Sequence, residues 1–198
     1  MEAIKLNETT DVHELLKKRR SGRVYDATRD VTQADLDALL EAARWAPSGS
    51  NGQPWRYVIG RKGDATYEKL LPLLMGFNQA WGQHAPVLLL TAYETMAIGR
   101  DGQKMPNRTA QHDLGMANLS IALEAAHRGL MTHMMGGFNQ DAARALINAE
   151  ANGLEVGPMM TIGYPGDPAE LDEEIQKREA APRTRKPVSS FVLNLNVD

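Results

Sequence analysis

Apolar residues recur along this chain at two periods, one helical and one extended. Over 11–20, Val12, Leu15 and Leu16 fall on one face of a helix that Asp11 and Glu14 would open as a capping box, with Gly22 marking the break after Arg20. Thr32 and Asp35 repeat the signal ahead of the stripe Leu36, Leu39, Leu40 and Ala43, and Pro47 stops that helix. Tyr67, Leu70, Leu71 and Leu74 predict a third helix, which Pro72 kinks or shortens. The longest helical pattern covers 107–128, with Leu114, Ala117, Ile121, Ala122 and Ala125 on one side, Gly115 within it and Gly129 as its C-terminal cap. Another helix is predicted over 140–149. A last one opens at Asp167-Pro168-Ala169-Glu170, with only Leu171 and Ile175 as apolar anchors.

Strand patterns lie among these helices. Residues 55–59 combine aromatic and β-branched side chains, and 87–92 form an unbroken apolar run, as in a strand buried inside a sheet. Further strands are predicted over 131–135, ahead of Gly136-Gly137, over 159–164, and over the alternating segment 191–197. No linker or repeat interrupts the chain, so 1–198 reads as one domain of α+β or mixed α/β class.

Composition removes several functions. The net charge is −3, so no global field recruits nucleic acid or a membrane surface. The sequence has no cysteine, which excludes disulfides, thiolate catalysis and thiolate metal sites and suits the cytoplasm. No apolar run is long enough to span a bilayer, and the N-terminus has no signal-peptide core. Glycine-rich Rossmann and phosphate-loop motifs are absent, as are the serine-hydrolase elbow and the zincin helix. The histidines fit no zinc spacing, and His127 and His133 read as surface or satisfied core residues. His112 and Asp113, adjacent within a helix, make a poor catalytic dyad because they point in different directions.

Two kinds of binding chemistry remain. Charge is gathered in Lys17, Lys18, Arg19, Arg20 and Arg23, and again in Arg183, Arg185 and Lys186, which suggests a local anion site. The loop Ala46-Pro47-Ser48-Gly49-Ser50-Asn51-Gly52-Gln53-Pro54-Trp55 has no strong acid, base or nucleophile. Its prolines restrict the backbone, its glycines free it, and its serines and amides are neutral hydrogen-bonding groups. Such a loop suits a flat polar molecule that carries its own reactivity.

Together these segments resemble the FMN-dependent nitroreductase family. The matching segments are Arg19-Arg20-Ser21-Gly22-Arg23, the 46–55 loop, Asn78-Gln79 ahead of Ala85-Pro86-Val87-Leu88-Leu89-Leu90, Gly136-Gly137-Phe138, Ile162-Gly163-Tyr164-Pro165 and Arg185-Lys186-Pro187, in family order over nearly the whole chain. The resemblance implies an α+β fold with a central, mainly antiparallel sheet flanked by helices. It also implies an intertwined homodimer with exchange of the C-terminal strand and FMN in the subunit interface.

By resemblance, Arg19 and Arg185, with Arg183 beside them, match phosphate ligands, Arg20 is a cofactor-binding residue of the same segment, and Ser21 matches a contact to the phosphate–ribityl part. Arg23 and Asn78 match ligands of the flavin pyrimidine edge. Pro47, Ser48, Asn51 and Gln53 match the loop contributed by the partner subunit, and Gly136 and Gly137 match backbone groups near flavin N5. The implied activity is ping-pong reduction of nitroaromatic, quinone or similar small-molecule acceptors with NADH or NADPH, without a catalytic acid–base pair. Reductive dehalogenation, flavin reduction and non-catalytic flavin binding stand as alternatives on the same scaffold. For dehalogenation the candidate lid is 94–107. One position departs from the pattern: Trp81 stands where some members carry a lysine three residues after the asparagine.

Overall fold

The computed structural model describes residues 11–170 and 172–192. Its centre is a four-stranded sheet in the order β1-β2-β6-β5, formed by β1 (Trp55–Arg61), β2 (Val87–Glu94), β6 (Leu154–Gly163) and β5 (Met131–Met135). Every pairing in it is antiparallel. A separate hairpin, β3 (Met96–Ile98) with β4 (Lys104–Pro106), follows β2.

Helices cover both faces of the sheet. Leu88 and Leu90 of β2 pack on one side with Tyr67 and Leu70 of α3 (Ala65–Leu70) and Trp81 of α4 (Phe77–Gly82). Val87 and Leu89 pack on the other with Leu36 and Leu39 of α2 (Gln33–Arg44) and Ala117 and Ile121 of α5 (Ala110–His127). Successive strand side chains point to opposite faces, so a strand buried on both sides is apolar except where a polar group finds a partner. That accounts for the run at 87–92, in which buried Thr91 donates its hydroxyl to the Pro158 carbonyl at 2.7 Å; the strand itself continues to Glu94.

The predicted capping box at Thr32 is present: the Thr32 hydroxyl accepts from Asp35 N–H at 3.1 Å, and Asp35 accepts from Thr32 N–H at 3.2 Å. Gly129, with φ of +78°, follows α5 as expected. The chain shortens α3 before Pro72, where a 3-10 turn, Leu71–Leu73, takes over. Asn148, in the left-handed region, splits the predicted 140–149 helix into α6 (Gln140–Leu146) and α7 (Ala149–Asn152).

Three expectations are corrected. The first helix, α1, is only Glu14–Lys18; His13 rather than Asp11 caps it, its Nδ1 accepting from Leu15 N–H at 3.2 Å, while Asp11 pairs with Lys17. Among the described residues nothing covers its predicted apolar face at Val12 and Leu16, which are exposed. Asp167 opens only a 3-10 turn, Pro168–Glu170. The last helix, α8 (Glu173–Ala180), starts later because Asp172 offers a second cap, its Oδ1 accepting from Ile175 N–H at 3.0 Å. Of the predicted 191–197 strand, Phe191 instead ends a 3-10 turn, Val188–Ser190; Leu171 and residues 193–198 lie outside those described.

Gly157 marks a close approach of the sheet to α5. A Cβ there would lie 2.4 Å from Leu114 Cδ2 and 2.6 Å from Thr91 Oγ1. Both neighbours are buried, so neither can step aside. Gly157→Ala is expected to destabilise the fold by about 1–3 kcal/mol, the usual cost of overpacking, read as a lowered midpoint in urea unfolding.

Candidate functional site

The predicted ligands fall into two groups on opposite edges of the sheet. The first lies along β5. Arg183 donates from Nη1 to the carbonyl oxygen of Arg19 at 2.8 Å and from Nη2 to that of Lys17. Arg185 stands close enough that burial, then the charges of Arg183 and Arg185, press Arg19 below the usual guanidinium range. Among the described residues no carboxylate pairs with any of these three arginines. Arg19 also reaches the Ser21 hydroxyl, at 3.5 Å. Three cationic side chains from both ends of the chain are thus gathered in one place.

Arg20 and Arg23 are placed differently. Both are held by Glu179 of α8, with Arg20 Nη2 2.9 Å from Oε2 and Arg23 Nη1 3.2 Å from Oε1. The Arg23 guanidinium lies 5.9 Å from the Trp81 ring centroid. Farther along the same edge, Asn78 Nδ2 donates to the Gly137 carbonyl at 3.1 Å. A Cβ on Gly137 would stand 2.7 Å from that nitrogen, so a larger residue there would push the Asn78 side chain aside. Gly136 is exposed and faces open space.

The second group is the 46–55 loop, which enters β1 at the far edge. Ser50, Asn51 and Gln53 all have positive φ, between 47° and 55°. Non-glycine residues adopt this region at a cost, and such strain concentrates at ligand sites. Side chains hold the turn. The Ser48 hydroxyl accepts from Gln53 N–H at 3.1 Å, and Gln53 Nε2 donates to Asn51 Oδ1 at 3.2 Å. Asp113, in the first turn of α5 and buried, accepts from Gly49 N–H at 3.0 Å and from the Thr109 hydroxyl at 3.1 Å. Pro47 is exposed beside them.

The two groups do not meet in one chain. They stand three strand spacings apart across the sheet, about 14 Å. The loop is tied to the start of α5, whereas α1, which leads into Arg19, shares a depression with His127 at the other end. The helix between has 18 residues, about 27 Å of axis.

A family model described as "Nitroreductase family" matches residues 16–80. A Streptomyces coelicolor protein named, provisionally, as an NADH dehydrogenase/NAD(P)H nitroreductase is 30% identical, over 75% of this chain and 67% of its own length. The chain belongs to the nitroreductase family. Among solved structures, an oxidoreductase described as containing FMN superposes on this nitroreductase with a TM-score of 0.86 at 31% identity, covering 96% of each chain. A nitroreductase family protein of Clostridium difficile superposes with a TM-score of 0.69 at 26% identity, covering 95% of this chain and all of the other.

Three residues of this nitroreductase carry parts of the site that the sequence reading left out. Asp113 was set aside with His112; His112 is exposed and Asp113 buried, yet the ring bends back to bring Nδ1 3.3 Å from Asp113 Oδ1. The carboxylate's role is to anchor the loop. Glu179 is legible only as the residue four positions after Ile175, on the docked face of α8. His133 of β5 lies under the first group, its Nδ1 3.1 Å from the Gly22 carbonyl oxygen and its ring 4.6 Å from that of Trp81. Trp81 is wholly buried, with Nε1 unpaired, and so packs in the core. In the predicted lid, Arg56 holds the Glu94 carboxylate.

Burial first, and the Arg23 charge second, push His133 from 6.5 down to about 4, against hydrogen bonds to the Gly22 and Ser21 carbonyls. The folded state therefore prefers neutral imidazole. Its contribution to stability is full above the unfolded value of 6.5 and is lost as pH falls toward 4. After discounting for partial exposure this amounts to about 2 kcal/mol. His133→Gln is expected to flatten the difference in unfolding free energy between pH 7 and pH 4, measured by urea titration at each pH.

Proposed function

We propose that this nitroreductase binds FMN between two copies of the chain and uses NADH or NADPH to reduce nitroaromatics, quinones or similar electron-poor acceptors by a ping-pong sequence. The observation that carries this reading is the convergence of Arg19, Arg183 and Arg185 without a carboxylate partner among the described residues. Three guanidiniums at close quarters repel one another, and a phosphate would relieve that repulsion while accepting bidentate hydrogen bonds. The rest of the β5 edge fits the remainder of the cofactor. Arg23 supplies a cation for the pyrimidine edge, Asn78 an amide, and Gly137 a backbone kept free of any side chain.

The separation of the two groups supports the dimer. The loop sits at the β1 edge and is anchored at the end of α5 opposite the one that α1 meets, and among the described residues it makes no hydrogen bond or ion pair with Arg19, Arg183 or Arg185 of its own chain. A second copy brings its Pro47, Ser48, Asn51 and Gln53 to the β5 edge of the first. The segment 191–197 is proposed to lie on the partner. The exposed Val12, just ahead of α1, Leu16 of α1 and Leu119 of α5 offer apolar surface for such a contact.

FMN, once bound, supplies the hydride chemistry. The protein's own residues bind and orient: Arg19, Arg183 and Arg185 hold the phosphate, Ser21 and Arg20 flank it, and Arg23 and Asn78 fix the ring edge. A cation at that edge favours the electron-rich state of the ring. No side chain is assigned a proton-transfer step.

The purified protein is expected to be yellow, to scatter light as a dimer at micromolar concentration, and to bleach on anaerobic titration with NADH or NADPH. Arg19→Ala and Arg185→Ala should each weaken FMN by ten- to a hundredfold, from the loss of about 1.5–3 kcal/mol of charge-assisted hydrogen bonding, followed by flavin fluorescence. A colourless protein that FMN cannot reconstitute would overturn the reading. A flavoprotein that neither nicotinamide reduces would point to non-catalytic binding.

A further inference from the structure

Glu179 is a buried carboxylate that the proposed chemistry does not use and that neither caps a helix nor anchors the 46–55 loop. Its side chain is 8% exposed, and its two oxygens go to two arginines of one segment, Oε2 to Arg20 at 2.9 Å and Oε1 to Arg23 at 3.2 Å. Arg20 also donates to the Glu179 backbone carbonyl at 3.1 Å. The contact is built from several sides. Ile175, four residues earlier and buried, docks the same face of α8. Gly22 lies against the same contact: a Cβ there would meet Oε2 at an ordinary 3.5 Å but Met131 Sδ at 2.4 Å. Arg178 covers the Phe77 ring at 4.1 Å, while Arg23 lies 6.0 Å from the same ring.

A helix tail could be pinned through Arg20 alone, which is half exposed. The second oxygen is instead spent on Arg23, the cation assigned to the flavin. A carboxylate taken from water gains no net stability over an apolar contact, so its placement behind Arg23 calls for another role. With one carboxylate between them, the two arginines present a net charge of +1 rather than +2. A reduced flavin gains negative charge, so any change in the positive field at its edge changes its potential.

We propose that Glu179 is a positioning residue that fixes Arg23 against the β5 edge and offsets part of its charge, so that the pair sets the reduction potential of the bound cofactor. This rests on the reading of Arg23 as a pyrimidine-edge ligand, and the test separates the two ideas. Four holoproteins are compared by midpoint potential and by FMN dissociation constant: wild type, Glu179→Gln, Arg23→Gln and the double variant.

Glu179→Gln should shift the reduced-to-oxidised ratio at a fixed poise about tenfold toward reduced, about 30 mV upward for a two-electron couple. Arg23→Gln should shift it the other way. In the Arg23→Gln background the Glu179 substitution should lose most of its effect, because coupled residues are non-additive. Glu179→Asp, which keeps the charge, should return the potential toward wild type and also serves if the glutamine variant folds poorly.

If Arg23→Gln lowers the potential and Glu179→Gln leaves it unchanged, the proposal falls while the Arg23 reading stands. If neither changes it, both fall. An equal upward shift with and without Arg23 would mean that Glu179 acts directly on the cofactor, which also overturns the proposal.

Discussion

Helix α5 is the rigid element to which both halves of the site are referenced. Its apolar face, from Ala110 through Leu114, Ala117 and Ile121 to Ala125, is buried against α2 and the sheet, so it can neither bend nor slide without opening the core. Asp113 in its first turn fixes the 46–55 loop, while α1 meets its last turn beside His127. The distance between the loop and the arginines is therefore a property of the core rather than of mobile surface segments. A two-fold assembly is the simplest arrangement that turns this separation into one continuous pocket, since each copy then supplies what the other lacks.

The antiparallel sheet plays the complementary part. With both faces covered by helices, only its edges are left to meet a ligand, and the two edges differ. The β5 edge carries charge, from Arg19 to Arg23, and a crowded glycine at Gly137. The β1 edge carries neutral amides and hydroxyls held in a strained turn. The charged groups and the neutral hydrogen-bonding loop are thus kept on separate structural supports, with the charges outside the core.

Much of this was legible along the chain because it depends on local spacing. Thr32 with Asp35, Gly129 after α5, and the apolar run at 87–92 each act over a few residues, and each is found as read. The two arginine clusters near the termini were legible for the same reason, though not the hydrogen bonds by which Arg183 meets Arg19 and Lys17. The anchors were not. Gly49 and Asp113 are 64 residues apart, and Arg23 and Glu179 are 156 apart; nothing in either local sequence marks the partner. The start of α8 was misplaced because Asp167 and Asp172 are equally good caps, and only the docking of Ile175 selects the second.

The strained turn at Ser50, Asn51 and Gln53 has a consequence for how a ligand is received. Its unusual backbone is already held by Ser48, by Gln53's own side chain and by Asp113. The conformational entropy of ordering those residues is then lost when the chain folds, not when the ligand arrives. A segment ordered in advance docks as a rigid body, and little of the binding free energy is consumed in shaping it. The same tension that makes the loop an unfavourable piece of backbone makes it a ready one.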